Sequence, residues 1–85
     1  MNLEVRYARS FLQDLTGLET ADYLRVYEFI FIKFPKLNRL QDLPELRPLA
    51  GSSIYYRFAI DDYLVGLEVT GQIVKFIRIL PRPQV

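Results

Sequence analysis

The chain contains no cysteine and no histidine. The first absence excludes disulfides and thiolate zinc sites; the second removes the side chain that most often serves as general base or metal ligand near neutral pH. Any chemistry therefore falls to Arg, Lys, Asp, Glu or Tyr, and neither a cofactor nor a metal is expected. An excess of charge of one sign is also missing: 11 Lys and Arg stand against 10 Asp and Glu, a formal net charge of +1. Such a balance gives little long-range steering toward nucleic acid. Among the cations, eight Arg outnumber three Lys, which favours planar, two-pronged contacts with phosphate or carboxylate. No apolar run reaches the roughly 18 residues of a membrane-spanning helix. The opening residues MNLEVRYARS are too polar for a signal peptide. A cytoplasmic protein with no membrane partner is expected.

What is present is a strong hydrophobic pattern. With 85 residues, 51% of them hydrophobic, the chain is near the size at which one core can carry a fold unaided, so residues 1–85 are expected to form a single domain. From Leu49 to Arg82 apolar residues alternate: Tyr56, Phe58 and Ile60, then Tyr63, Val65, Leu67 and Val69, then Val74 and Phe76. Period two with Asp61-Asp62 and Thr70-Gly71 at the breaks predicts a three-stranded antiparallel meander. Upstream, Leu3, Val5 and Tyr7 predict a first strand ending near Ala8. Ser10-Phe11-Leu12-Gln13 fits a capping box, opening a helix with a stripe of Phe11, Leu12, Leu15 and Leu18 that Gly17 ends. A second helix starts near Thr20, repeats Tyr23, Tyr27, Ile30, Phe31 and Phe34 as its core face, and stops at Pro35.

Residues 35–51 carry three prolines among regularly placed leucines, so an irregular, leucine-pinned connector is expected. Pro81 and Pro83 lack ladder donors, so the segment from Pro81 to Val85 is not expected to extend the sheet. The sum is an α+β fold of order β-α-α-β-β-β, a helical hairpin on one face of an antiparallel sheet.

Two-residue turns at both breaks would fix the register and the two faces. Tyr56, Phe58, Val65, Leu67, Val74 and Phe76 then meet the helices. Tyr55, Arg57, Ala59, Leu64, Gly66, Glu68, Ile73, Lys75, Ile77 and Ile79 form the open face. On it Arg57, Gly66 and Lys75 make one row, two cations flanking a residue without a side chain, where an anion could sit. The next row, Ala59, Leu64 and Ile77 with Ile79 beyond, is apolar enough to want a cover.

The strings SFLQDLTGL (10–18), LRPLAG (46–51), YYRFAIDDYLVGLEV (55–69) and FIRILPR (76–82), in that order and spacing, resemble the RelE/ParE toxin superfamily of bacterial toxin-antitoxin systems, and the RelE type in particular. The resemblance covers nearly the whole chain. It implies a small β-sheet toxin held inactive by a cognate antitoxin. RelE-type members cleave messenger RNA on the ribosome without metal, through a basic and polar cluster on the open face. By that resemblance Arg57 and Arg82 contact phosphate, with Lys75 assisting, and Arg78 fits a structural place at the end of the sheet. The pattern is incomplete: Leu64, Ala50 and Pro81 stand where relatives often carry Arg, Lys and His, and the C-terminal Tyr of several relatives has no counterpart. Three activities stay open: an endoribonuclease acting on ribosome and mRNA, a ParE-like toxin that binds gyrase, and a toxin fold that acts through antitoxin binding and autoregulation. In each, an amphipathic, acidic antitoxin segment should cover Leu64, Ile77, Ile79 and Arg57.

Overall fold

The computed structural model describes residues 3–83. Strand β1 (Glu4–Tyr7) is followed by α1 (Arg9–Thr16) and α2 (Thr20–Tyr27), which widens into a π-helical segment, Glu28–Lys33, and closes with a 3₁₀ turn, Phe34–Lys36. A second 3₁₀ turn, Leu40–Asp42, leads to β2 (Arg47–Pro48), β3 (Tyr55–Ile60), β4 (Tyr63–Thr70) and β5 (Ile73–Pro81). The order β-α-α followed by the meander is as the sequence predicts. Two features differ. The connector holds a short edge strand, β2, antiparallel to β3, and β1 pairs with β5 in parallel, giving the sheet order β1-β5-β4-β3-β2.

The core lies between the helices and one face of the sheet. Phe11, Val26, Ile30, Phe34, Phe58, Val65, Leu67, Val74 and Phe76 are at most 1% exposed. Phe76 stands at its centre, with its ring centroid 5.5 Å from Phe11, 5.1 Å from Phe34, 5.8 Å from Tyr7 and 6.4 Å from Phe58. Val26, Ile30 and Phe34 recur every four residues, a repeat that would drift around a 3.6-residue turn. The wider turns of Glu28–Lys33 absorb that drift and keep all three inside. The helical stripe therefore differs in part from the expected one: Val26 is core, whereas Tyr27 is 42% exposed. Tyr23, Tyr27, Phe31 and Tyr7 form an aromatic ladder along the rim instead, with successive centroids 5.9, 4.8 and 4.9 Å apart. Leu43 is buried, and Leu37, Leu40 and Leu46 pack against the core, pinning the connector as expected.

The outer edge of β5 has two successive partners. Residues Ile73 to Phe76 pair with β1, and the Ala8 N–H donates to the Phe76 carbonyl at 2.8 Å. Beyond that point β1 has ended and side chains of α1 take over. Ser10 Oγ donates to the Ile77 carbonyl (2.6 Å), and Asp14 Oδ2 accepts from the Ile79 N–H (2.9 Å). Ser10 is thus a sheet-edge ligand and not a helix cap; Ala8 holds the cap position, without a side-chain bond. Amide directions alternate along a strand, so Pro81 shares the outer edge with Ile79. Its missing N–H costs β4 nothing, which is why β5 runs through Pro81 and the Arg82 N–H still donates to the Asp62 carbonyl at 2.7 Å.

Asp14 also receives Arg78 Nε at 2.7 Å and Nη2 at 3.3 Å. Partial burial alone would raise its pKa, but the Arg78 hydrogen bond, the Ile79 N–H and the Arg78 charge together hold the carboxyl below its ordinary value. A depressed carboxylate pKa adds stability that is present above the unfolded-state value, near 4, and is lost as pH falls through the native one. Asp14→Ala should cost about 1–2 kcal/mol at neutral pH, read as a lowered Tm. The gap to wild type should narrow in acid, and a pH-independent gap would exclude the ionised carboxylate as its source.

Candidate functional site

The first hairpin keeps the expected register, Ile60 opposite Tyr63, with Asp61 in the left-handed region (φ 50°). The second turns at Gly71-Gln72, one residue later than expected, and Thr70 faces Ile73. Gly71 supplies the positive φ, 57°. A bulge follows: Leu67 pairs with Phe76 and Gly66 with Arg78, so Ile77 is an extra residue on β5. One inserted residue exchanges the faces of everything after it.

Three assignments change as a result. The row across the open face is Arg47, Arg57, Gly66 and Arg78, on four successive strands, and not Arg57, Gly66 and Lys75. Lys75 instead lies opposite Glu68 on one side and Arg6 on the other. Ile79 pairs with Val65 and is 4% exposed, within the core, so it is not available as an antitoxin seat. Leu80 takes its place beside Leu64 and is 46% exposed. Leu64, Ile77, Leu80, Leu49 and Tyr55 wall a trough of about 240 Å³ into which Gly66 opens, with Arg57 and Arg78 at its margin. Ala59, expected on this face, is buried beside the connector, its N–H donating to the Pro44 carbonyl at 2.9 Å.

At the β2 edge the cations meet a carboxylate that sequence reasoning did not single out. Arg82 binds Glu45 through both prongs, Nη1 to Oε2 at 3.0 Å and Nη2 to Oε1 at 2.6 Å. That hydrogen bond, opposed by desolvation and aided by the charges of Arg82, Arg47 and Arg57, holds the Glu45 carboxyl below its ordinary value. Arg82 therefore holds an anion, here a carboxylate where the sequence resemblance implied a phosphate; among the described residues Arg57 makes no bond to it and acts on it through charge alone, and Lys75 is not part of that group. Arg47 joins it because β2 places it directly opposite Arg57. Glu45 adopts φ 53°, an uncommon conformation for a residue with a side chain. Neither the β2 pairing nor this backbone conformation has a local sequence signal.

Chemically, the arginines can bind a phosphodiester and stabilise the charge that develops on it during attack by a neighbouring hydroxyl. A carboxylate kept ionised and already engaged by Arg82 is a weak proton acceptor. A second polar cluster, Tyr63 Oη donating to Asp22 (2.8 Å) with Arg25 on the same carboxylate (2.7 Å), lies apart from the arginine row and ties α2 to β4. Among the described residues no cluster of acidic groups has metal-binding geometry, and no helix is long and apolar enough to cross a membrane.

No family model matches the chain. It is 29% identical over 84 residues to Toxin RelE3 of Methanocaldococcus jannaschii, covering 98% of this chain and 94% of that protein. Among solved structures it superposes on a chain of the RelB-RelE antitoxin-toxin complex from Methanococcus jannaschii with a TM-score of 0.74 and 26% identity, over 89% of this chain and 88% of the other. The archaeal RelE-RelB complex from Pyrococcus horikoshii gives a TM-score of 0.71 at 23% identity, with all of both chains covered. The fold and this near full-length similarity are RelE-like. In sequence over nearly its whole length and in fold, the chain is similar to RelE toxins.

The face reassignment has a direct test in stability. Leu80→Asp should change stability by no more than about 0.5 kcal/mol, because the side chain is half in water. Ile79→Asp should unfold the protein or cost several kcal/mol, about 3 or more, by burying a charge. Equal effects on the denaturation midpoint would return Ile79 to the open face.

Proposed function

We propose that this protein is the toxin of a toxin-antitoxin pair, a RelE-like endoribonuclease that cleaves messenger RNA on the ribosome, in the cytoplasm, and is neutralised by a cognate antitoxin. The observation that carries the reading is the arginine group of Arg57, Arg47 and Arg82, brought to one edge of the open face of a RelE-like sheet. A two-pronged Arg82 with the charges of Arg47 and Arg57 nearby suits the charge of a phosphodiester under attack. Leu64, Ala50 and Pro81 stand where RelE-type relatives often carry Arg, Lys and His. The ribosome would therefore have to contribute positioning, which can be worth many powers of ten in rate. Arg57 and Arg82 keep the phosphate-binding roles; Lys75, at a different row of the sheet, drops out of the catalytic set.

The trough formed by Leu64, Ile77 and Leu80 beside Arg57 and Arg78 suits an amphipathic antitoxin segment with apolar anchors and acidic flanks. The solved relatives from M. jannaschii and P. horikoshii are antitoxin-toxin complexes, in keeping with such a partner. The same trough, together with the departures at Leu64, Ala50 and Pro81, favours a second reading in which the protein acts by binding a target such as gyrase and cleaves nothing.

Induced expression without antitoxin, followed by primer extension on a reporter messenger RNA, separates these readings. The expected outcome is growth arrest with new cleavage sites, reduced ~10²–10³-fold by Arg82→Ala or Arg57→Ala. Arrest with intact messenger would favour the binding toxin, and soluble expression without arrest would favour a toxin fold kept for its antitoxin. Leu64→Asp should abolish co-purification with the antitoxin while leaving the Tm unchanged; unaltered co-purification would place the antitoxin elsewhere.

A further inference from the structure

Glu45 and Arg82 form a pair in which each side chain keeps about half its exposure, 51% and 43%. Pairs so open to water contribute little to stability, yet this one has two-pronged geometry and sits on a backbone twisted into the left-handed region. The neighbouring chain fixes it there: the Pro44 carbonyl accepts the Ala59 N–H, and Arg47, two residues on, pairs with β3. Directly opposed like charges such as Arg47 and Arg57 repel. Among the described residues neither arginine has an ion-pair partner of its own. The Arg82 fork therefore lies in a field to which Arg47 and Arg57 add positive charge beyond what Glu45 offsets.

We infer that Glu45 is the resting occupant of a phosphodiester site: its carboxylate fills the Arg82 fork in the free protein, and a phosphate of single-stranded RNA must displace it to bind. This rests on the reading of the arginines as phosphate ligands and adds a control to it. A carboxylate and a phosphate offer the same paired oxygens to a guanidinium fork, so the two compete for one geometry. The free protein then binds RNA weakly, and the site fills when other contacts hold the strand in place and raise its effective concentration.

The test is fluorescence anisotropy of a labelled single-stranded oligouridylate with the isolated protein. Glu45→Gln removes the competing charge with little change of shape and should tighten binding about fivefold to tenfold, the worth of one charge at close range in a wet site. Glu45→Gly, which suits the positive φ and so protects the fold, should tighten it similarly. Arg82→Ala added to either variant should remove the gain. Binding that is unchanged or weaker in both Glu45 variants, with their Tm maintained, would overturn the inference and make Glu45 a positioning residue for Arg82. The cleavage reading fails separately: tighter binding in Glu45→Gln alongside a messenger left intact in cells would keep the phosphate site and discard the nuclease.

Discussion

Everything in this small protein depends on how the outer edge of β5 is satisfied. A strand with bare amides and carbonyls on one side is both unstable and prone to pair with other chains. Here β1 covers that edge as far as Phe76, and Ser10 and Asp14 of α1 cover it beyond. The change of partner lets the helix leave β1 at once and lie against the strand it protects. It also brings Phe11 and Leu15 onto Phe76, and α2 follows with Val26, Ile30 and Phe34. Arg78 is turned toward α1 by the same carboxylate. Edge protection, helix placement and one arginine of the open face thus share a single residue, Asp14.

Much of this architecture was legible in the chain. The alternation from Tyr55 to Phe76 marks three strands because period two sustained over that length suits a pleated strand with one buried face and suits no helix. Asp61-Asp62 marks a turn that forms where expected, whereas Pro35, expected to stop the second helix, sits inside its closing 3₁₀ turn, Phe34–Lys36. The parallel pairing of β1 was not legible, since nothing in Leu3 to Tyr7 states which strand it will meet. The bulge was hidden for a different reason. Ile77-Arg78-Ile79 reads as uninterrupted alternation, and the extra residue shows only when the two ends of the hairpin are in register with their separate neighbours.

That hidden residue decided how much of the site could be anticipated. Arg57, Leu64 and Ile77 lie before or at the bulge, and they stand on the open face as expected. Ile79 lies beyond it and crosses to the core, while Arg78 crosses to the row assigned to Lys75. Arg82 was singled out by resemblance, and its actual partner, Glu45, could not have been: the contact joins the segment after the last strand to a connector, through a backbone conformation unusual for glutamate. The charge balance of +1 was silent about all this because it averages over the surface. A near-neutral protein can still concentrate three arginines at one edge, provided its acidic residues lie mostly elsewhere.

The parallel pairing of β1 with β5 bears on how the molecule comes to exist. Glu4 meets Ile73 across nearly the entire described chain, a long-range contact that costs loop-closure entropy before it returns any stability and so forms late in folding. Synthesis proceeds at about 5–20 residues per second, and until β5 has emerged α1 lacks the carbonyl and amide that Ser10 and Asp14 hold. Arg78 and Arg82 belong to that last segment. The open face is consequently complete only once this last segment has been made.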